Sequence, residues 1–307
     1  MGVECALIGD ALGELLRDRL ETLGKHVTLA RAQDPDGIHD LRVASRRLRA
    51  ALREVRPVFE KAPRKALNEQ VKAVTRGLGT ARELDVSIDL LRKLRPRFRG
   101  PARRAATHAL HVMDEKRRAA TPDVLAAADR VDSEAFHHAV TDLLESRQPG
   151  TKCYLDRASK AIRKHDAALR KAHAKWHDSQ EDEDLHQTRI AFKKLRYVCE
   201  SYRNAYGEPM DQFIKDLKGA QEALGQWNDL RVLRDYILES ETASDPTVQA
   251  GIPELADGLE RRMSRLLTQF DRTAGDYLAT PADQAILPVL AKPVRQCSKC
   301  PHDPPSA

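Results

Sequence analysis

His39-Asp40-Leu41-Arg42-Val43-Ala44-Ser45-Arg46-Arg47-Leu48-Arg49 recurs, 147 residues further on (39 to 186), as His186-Gln187-Thr188-Arg189-Ile190-Ala191-Phe192-Lys193-Lys194-Leu195-Arg196. Both stretches read H-x-x-R-[VI]-A-x-[RK]-[RK]-L-R. Leu78-Gly79 recurs as Leu224-Gly225, Lys72 as Lys218 and Val71 as Leu217, at an offset of 146 (78 to 224). Two motifs in the same order at a near-constant offset mark the chain as two copies of one unit. The period is far too long for a solenoid, so the expected fold is all-α: two four-helix bundles related by a pseudo-two-fold, with flanking helices. The expected boundaries are 1–148 for the first bundle, 149–280 for the second and 281–307 for a Pro-rich tail.

The rest of the chain agrees with a helical reading. Ala, Leu, Arg, Lys, Glu and Asp dominate, aromatic residues make up 5%, and no period-2 strand pattern stands out. Breaks are expected at Asp34-Pro35-Asp36-Gly37, at Pro57 and Pro63, at Gly77 and Gly79, and at Pro96 with Gly100-Pro101. Gln148-Pro149-Gly150 reads as the linker between copies, and later breaks are expected at His177 to Asp184, Gly207 to Pro209, Gly225, and Thr242 to Pro253. That pattern predicts about five helices per half.

A helical wheel separates the first motif into two faces. With His39 at zero, Arg42, Arg46, Arg49 and Arg53 all fall between about 280 and 340 degrees. Leu41, Ala44, Leu48, Leu52 and Val55 collect between about 140 and 220 degrees, which is the packing face. In the second copy His186, Arg189, Lys193 and Arg196 form the row, and Ala191, Leu195, Cys199 and Tyr202 form the core side. Glu200 replaces Arg53, so the second row is shorter. Arg47 and Lys194 lie off to the side, at about 80 degrees.

Like charges three and four residues apart repel by a few tenths of a kcal/mol each, so such a row is unfavourable unless something anionic sits on it. Elsewhere the chain intersperses acids, as in Glu14-Leu15-Leu16-Arg17-Asp18-Arg19. Arginine offers bidentate hydrogen bonds to phosphate oxygens, and lysine a mobile point charge. Side chains one turn apart are about 5.4 Å apart, so a row on a helix of about 20 residues extends roughly 30 Å. That length suits a linear polymer of phosphates better than one small anion. His39 and His186 stand early in their helices, near the positive end of the dipole, and equally suit a hydrogen bond to a neighbouring helix. Lys72, Lys218 and Arg82 are placed to join the site, and Asn228 stands where the first copy has Arg82. Arg17, Arg163 and Lys171 are weaker candidates, while Arg103, Arg104, Arg117 and Arg118 read as ordinary surface.

Lys plus Arg is 52 against 46 for Asp plus Glu, a formal net charge of +6, so a basic site must come from clustering. No apolar run is long enough to cross a bilayer, and Val3 to Gly9 contains Glu4, which makes a poor signal peptide. A cytoplasmic protein without a membrane partner is expected. Cys5, Cys153 and Cys199 are scattered and read as buried apolar residues. Cys297 and Cys300, with His302, form a single CxxC that lacks the second half of a zinc site. No cofactor or metal is expected.

The two H-x-x-R stretches, with Leu78-Gly79-Thr80-Ala81-Arg82-Glu83-Leu84-Asp85-Val86 and Leu224-Gly225-Gln226-Trp227-Asn228-Asp229, resemble the CHAD (conserved histidine α-helical domain) family. The resemblance spans about residue 5 to about residue 275. It implies paired four-helix bundles and inorganic polyphosphate as ligand, held by basic residues between them, with association with polyphosphate granules. The positions that carry over are His39, Arg42, Arg46, Arg49, Lys72, Arg82, His186, Arg189, Lys193, Arg196 and Lys218, with Arg47 and Lys194 less secure. Many members carry a CYTH triphosphatase domain. Nothing here resembles its ExExK signature, so a standalone, non-enzymatic module is expected. Two alternatives share the chemistry. A nucleic-acid binder would use the same phosphate contacts but has few aromatics for stacking. A phosphate-processing enzyme would need acidic metal ligands within the basic site.

Overall fold

The computed structural model describes residues 8–148, 153–239, 245–291 and 293. Among them the chain forms α-helices, one short 3-10 turn and an isolated bridge between Phe59 and Arg147, with no strand. The first half carries α1 (Ile8–Lys25), α2 (Val27–Arg31), α3 (Pro35–Glu54), α4 (Lys61–Gly77), α5 (Gly79–Leu94), α6 (Gly100–Ala119), α7 (Thr121–Val131) and α8 (Glu134–Glu145). The second carries α9 (Tyr154–Ser179), α10 (Asp182–Ser201), α11 (Arg203–Tyr206), α12 (Glu208–Glu239), α13 (Pro246–Ala279) and α14 (Ala282–Leu290). None of these helices is long and apolar enough to cross a membrane. Cys5, Cys297, Cys300 and His302, and the Pro149-Gly150 part of the expected linker, lie outside the described residues.

The two motif helices coincide in extent: α10 begins and ends 147 residues after α3 (35 to 182, 54 to 201). Their starts are built differently. Asp34 caps α3, its Oδ1 accepting from the Gly37 amide at 2.6 Å, and Pro35 occupies the first turn where its missing N–H is no loss. At α10 the left-handed Gln180 ends the preceding helix, and Asp182, Glu183 and Asp184 sit at the positive end of the dipole. Asp184 accepts from Lys175 Nζ at 2.6 Å and Ser179 Oγ at 2.7 Å, which ties that turn to α9.

Two expected breaks are absent. Gly225 does not interrupt α12, which runs on to Glu239, although the equivalent Leu78-Gly79 separates α4 from α5. A glycine within a helix costs about 1 kcal/mol. Burial of Leu224, Trp227, Leu230 and Leu233 around it outweighs that cost. Pro253 lies inside α13, not in a linker. It is exposed, while Ile252, Leu255, Ala256 and Leu259 bury the opposite face. The number of helices also exceeds the expected five per half, because short helices such as α2 and α11 fill the corners.

One continuous apolar cluster runs from Leu12 to Ile286 through both halves. Helices of equivalent rank touch across it: α3 against α10, α5 against α12, and α6 along α13. The last of these is the tightest approach. A Cβ at Gly251 of α13 would stand 2.2 Å from the Pro101 carbonyl oxygen and 2.7 Å from the Ala102 nitrogen of α6. Because those atoms are backbone, the helices must part to admit it. Gly251→Ala is therefore expected to destabilise the fold by about 1–3 kcal/mol. Urea unfolding checks this, and an unchanged midpoint would mean that α6 and α13 separate without loss.

Candidate functional site

The contact between α3 and α10 is where the two basic rows come together. Leu41, Ala44, Leu48 and Leu52 turn into the core from α3, and Leu185, Phe192, Leu195 and Cys199 from α10. That leaves His39, Arg42, Arg46, Arg49 and Arg53, and His186, Arg189, Lys193 and Arg196, at the join. All of these are half-buried, not solvated. The wheel set the rows opposite the packing face, and the structure turns that side towards the other half.

Lys193 is the most affected group. Burial, with the charges of Arg189 and Arg46 behind it, pushes its ammonium down to about 6, and Asp229 of α12 only partly offsets this. Arg189 is pushed down to about 10, first by burial, while Asp229 pulls it back and Arg46 and Arg231 add to the fall. Burial raises the Asp229 carboxyl, against the pull of Arg189 and Lys193. Arg46 thus bears on both Arg189 and Lys193 from the other helix. Arg46, Arg82, Arg189 and Lys193 form no ion pair or side-chain hydrogen bond with any described residue. The buried Nε atoms of Arg189 and Arg231 also have no partner there. Buried donors without partners are costly, and this concentration of them could donate to the oxygens of an anion.

The histidines are equivalent in position and different in partners. His186 Nδ1 donates to Asn228 Oδ1 at 2.9 Å, which fixes the ring and leaves Nε2 for a ligand. Burial, then the charge of Arg82, lowers His39. Burial also lowers His186, with the Asn228 hydrogen bond raising it. Asn228 and Arg82 hold corresponding places, so one copy orients its histidine with an amide and the other sets a second cation beside it.

Other expected site residues are held elsewhere to varying degrees. Arg42 Nη1 donates to the Thr75 carbonyl of α4 at 2.7 Å, and Nη2 lies 3.7 Å from Glu83. Arg47 donates to Glu200 at 3.1 and 3.4 Å, bridging α3 to α10. Glu200 also draws Arg196, whose Nε is 3.6 Å away and whose guanidinium lies over the Tyr197 ring at 5.2 Å. Arg47 is therefore an anchor between the halves. Lys72 pairs with Glu69 at 3.1 Å. Lys194 and Lys218 are exposed, and none of the ion pairs among the described residues joins them to the cluster.

Sequence reasoning missed Arg231, which faces the cluster three residues after Asn228 on a helix expected to break at Gly225. It also read Arg117 as surface. Arg117 donates to Asp85 at 2.6 Å, both side chains being largely buried between α6 and α5. An open cavity of about 430 Å³ between α5, α12 and α13 has Asp229 in its lining, with Leu90, Leu230 and Leu266 beside the cations Lys93, Arg262 and Arg265.

These features define an all-α protein in which two related helices press uncompensated cations together at the junction of two halves. The CHAD domain family matches residues 14–238, and the chain belongs to that family. The CHAD domain from the plant Ricinus communis superposes with a TM-score of 0.64 at 25% identity, over 96% of this chain and 97% of that one. PptA from Streptomyces chartreusis shares the fold, with a TM-score of 0.58 at 15% identity over 86% of this chain and 98% of that one. The uncharacterized protein Rv2226 of Mycobacterium tuberculosis is 23% identical over 286 residues, covering 86% of this chain and 53% of the relative. A counterpart from a second strain of that species matches over the same lengths. The chain spans about half the length of these curated relatives.

Proposed function

We propose that this protein binds inorganic polyphosphate at the α3–α10 junction and does no chemistry on it. The observation that carries the reading is the group Arg46, Arg189 and Lys193, half-buried together and without a carboxylate bonded to any of them among the described residues. A ligand with closely spaced negative charges would relieve their repulsion and supply the missing acceptors. The row from His39 to Arg53 is about 21 Å long at 1.5 Å per residue, which favours a linear polyanion over a single phosphate. The CHAD resemblance gives the same ligand class.

Support for a binding role over catalysis comes from Asp229. It is the carboxylate set among these cations, and Arg189 and Lys193 act on it directly. A single carboxylate facing two cations offsets part of their charge and does not make the group of acidic ligands that metal-assisted phosphoryl chemistry uses. Nucleic acid fits less well because Tyr197, the aromatic ring at the cluster, is buried beneath Arg196 and offers no stacking face.

Titration of long-chain polyphosphate at two salt concentrations tests the reading. Binding is expected to weaken steeply as salt rises, the slope reporting the number of phosphates neutralised. Duplex DNA is expected to compete poorly at equal phosphate concentration. Absent polyphosphate binding, or displacement by DNA at parity, would overturn the assignment.

A further inference from the structure

Beyond the central cluster a second group of cations stands on one half only. Arg49 and Arg53 continue the α3 row, Arg56 follows in the turn after it, and Arg64 and Arg76 belong to α4. These five act on one another. Burial, then Arg46, lowers Arg49, and Arg76 adds to that. Burial, then Arg49, lowers Arg53, with Arg56 and Arg46 contributing. Burial and Arg56 lower Arg64. The couplings therefore run unbroken from Arg46 at the centre out to Arg64.

None of the five forms an ion pair or a side-chain hydrogen bond with a described residue, and the buried Nε atoms of Arg49 and Arg64 have no partner. The nearby acids are committed elsewhere. Glu54 accepts from Tyr202 Oη at 3.0 Å and lies 3.4 Å from Arg157, while Glu69 holds Lys72. Five arginines gathered this way repel, and the fold gains nothing visible from keeping them together.

The second copy does not repeat the arrangement. Glu200 replaces Arg53 and Glu222 replaces Arg76, by the offsets that align the motifs. Arg203, the counterpart of Arg56, is bonded to Asp211. On that side the track ends at Glu200, which holds Arg47 and Arg196.

We infer that Arg49, Arg53, Arg56, Arg64 and Arg76 form a one-sided extension of the binding site, occupied only by a polyanion long enough to reach out from the α3–α10 junction over the first half. The inference rests on the polyphosphate reading and adds two properties to it. The ligand leaves the centre in one direction, and affinity rises with chain length until the arm is filled. A short oligomer such as tripolyphosphate binds at the centre and does not sense the arm.

The test compares tripolyphosphate with long-chain polyphosphate on the full chain and two variants. The first is Arg53→Glu with Arg64→Glu. The second is Arg56→Ala with Arg76→Ala, at two exposed positions where folding is not at risk. Both are expected to weaken long-chain binding, the charge reversal by about tenfold or more and with a salt slope lower by about two. In the Arg56→Ala/Arg76→Ala variant tripolyphosphate affinity is expected to stay within about twofold of the parent protein. Unchanged long-chain affinity in both variants, in a parent that binds polyphosphate, would overturn the arm alone. Equal losses for both ligands in the Ala variant would overturn it too, since the arm would then belong to one undivided site. A parent protein that binds neither ligand would remove the polyphosphate reading itself and the arm with it.

Discussion

Reversing Arg42 and Arg189 together to Glu is expected to abolish measurable polyphosphate binding while leaving the helical content unchanged. Each removes a charge-assisted donor worth about 1.5–3 kcal/mol, so simple loss of both costs about a hundredfold to ten-thousandfold in affinity. Reversal adds repulsion between the new carboxylates and the ligand. The two positions come from different helices, so the two single variants separate a site built on both copies from one built on either. Arg42 carries a structural penalty as well. Its bond to the Thr75 carbonyl is lost, and a glutamate there would face Glu83. A fall in stability of about 1–3 kcal/mol is expected from that side. At position 189 the new carboxylate would meet Arg46, Lys193 and Arg231 but also Asp229, so a cost of similar size is expected there. Circular dichroism and urea unfolding measure the fold, and calorimetric titration measures the binding. Lys194→Glu serves as the control, since Lys194 is exposed and joins none of the ion pairs of the cluster among the described residues. Parent-level affinity in the double variant would place the ligand elsewhere on the molecule.

The two motif helices were legible because two independent signals agreed on them. The wheel separated a packing face from a basic face, and the repeat showed the separation twice. Leu41, Leu48, Leu52, Leu195 and Cys199 are buried as the wheel implied. The wheel also left Phe192 without a place, and it proves to be core, meeting Phe270 of α13 edge-on at 5.8 Å. What periodicity cannot supply is the neighbour. Arg47 and Lys194 stood at the same angle, yet Arg47 meets Glu200 across the junction and Lys194 meets solvent. Gly225 and Pro253 were misread for a related reason: local propensity is worth about 1–3 kcal/mol, and tertiary burial along α12 and α13 exceeds it. Arg231 was lost with the misread Gly225. Arg56, Arg64 and Arg76 carry no repeat signal, because the arm is what the copies do not share. The depth of burial at Lys193 was equally invisible, since it depends on α3, α10 and α12 arriving at one place.

That burial leads to the second large effect, which is dependence on pH. With its ammonium pushed down to about 6, Lys193 is mostly neutral in the free protein at neutral pH. A bound polyanion favours the charged form, so Lys193 in the complex titrates at higher pH than in the free protein. Binding near neutrality must then take up a proton. Affinity rises as pH falls from above the complex's value towards about 6, and gains nothing more from this residue below that. His39 and His186, both lowered by burial, act in the same direction at the acid end of that range. The groups that face Lys193 are Arg189, Arg196, Arg46 and Asp229, and the last is the one that opposes the shift. Calorimetry in buffers of different ionisation enthalpy reads the proton uptake directly. Replacement of Lys193 by Met is expected to reduce it sharply and to weaken binding at pH 6 much more than at pH 8. The same change should stabilise the free protein by about 1 kcal/mol or more, because an isolated amine is replaced by an apolar chain of similar length. The pH dependence of folding has a matching sign. In the unfolded chain Lys193 holds its proton up to its ordinary range, so between about 6 and that range the unfolded state binds more protons and stability rises with pH through this residue. Lys193→Met should remove that rise. A variant that binds as the parent does at pH 6 would show that Lys193 has no part in holding the ligand, and one that unfolds at lower urea would show that the amine stabilises the free protein.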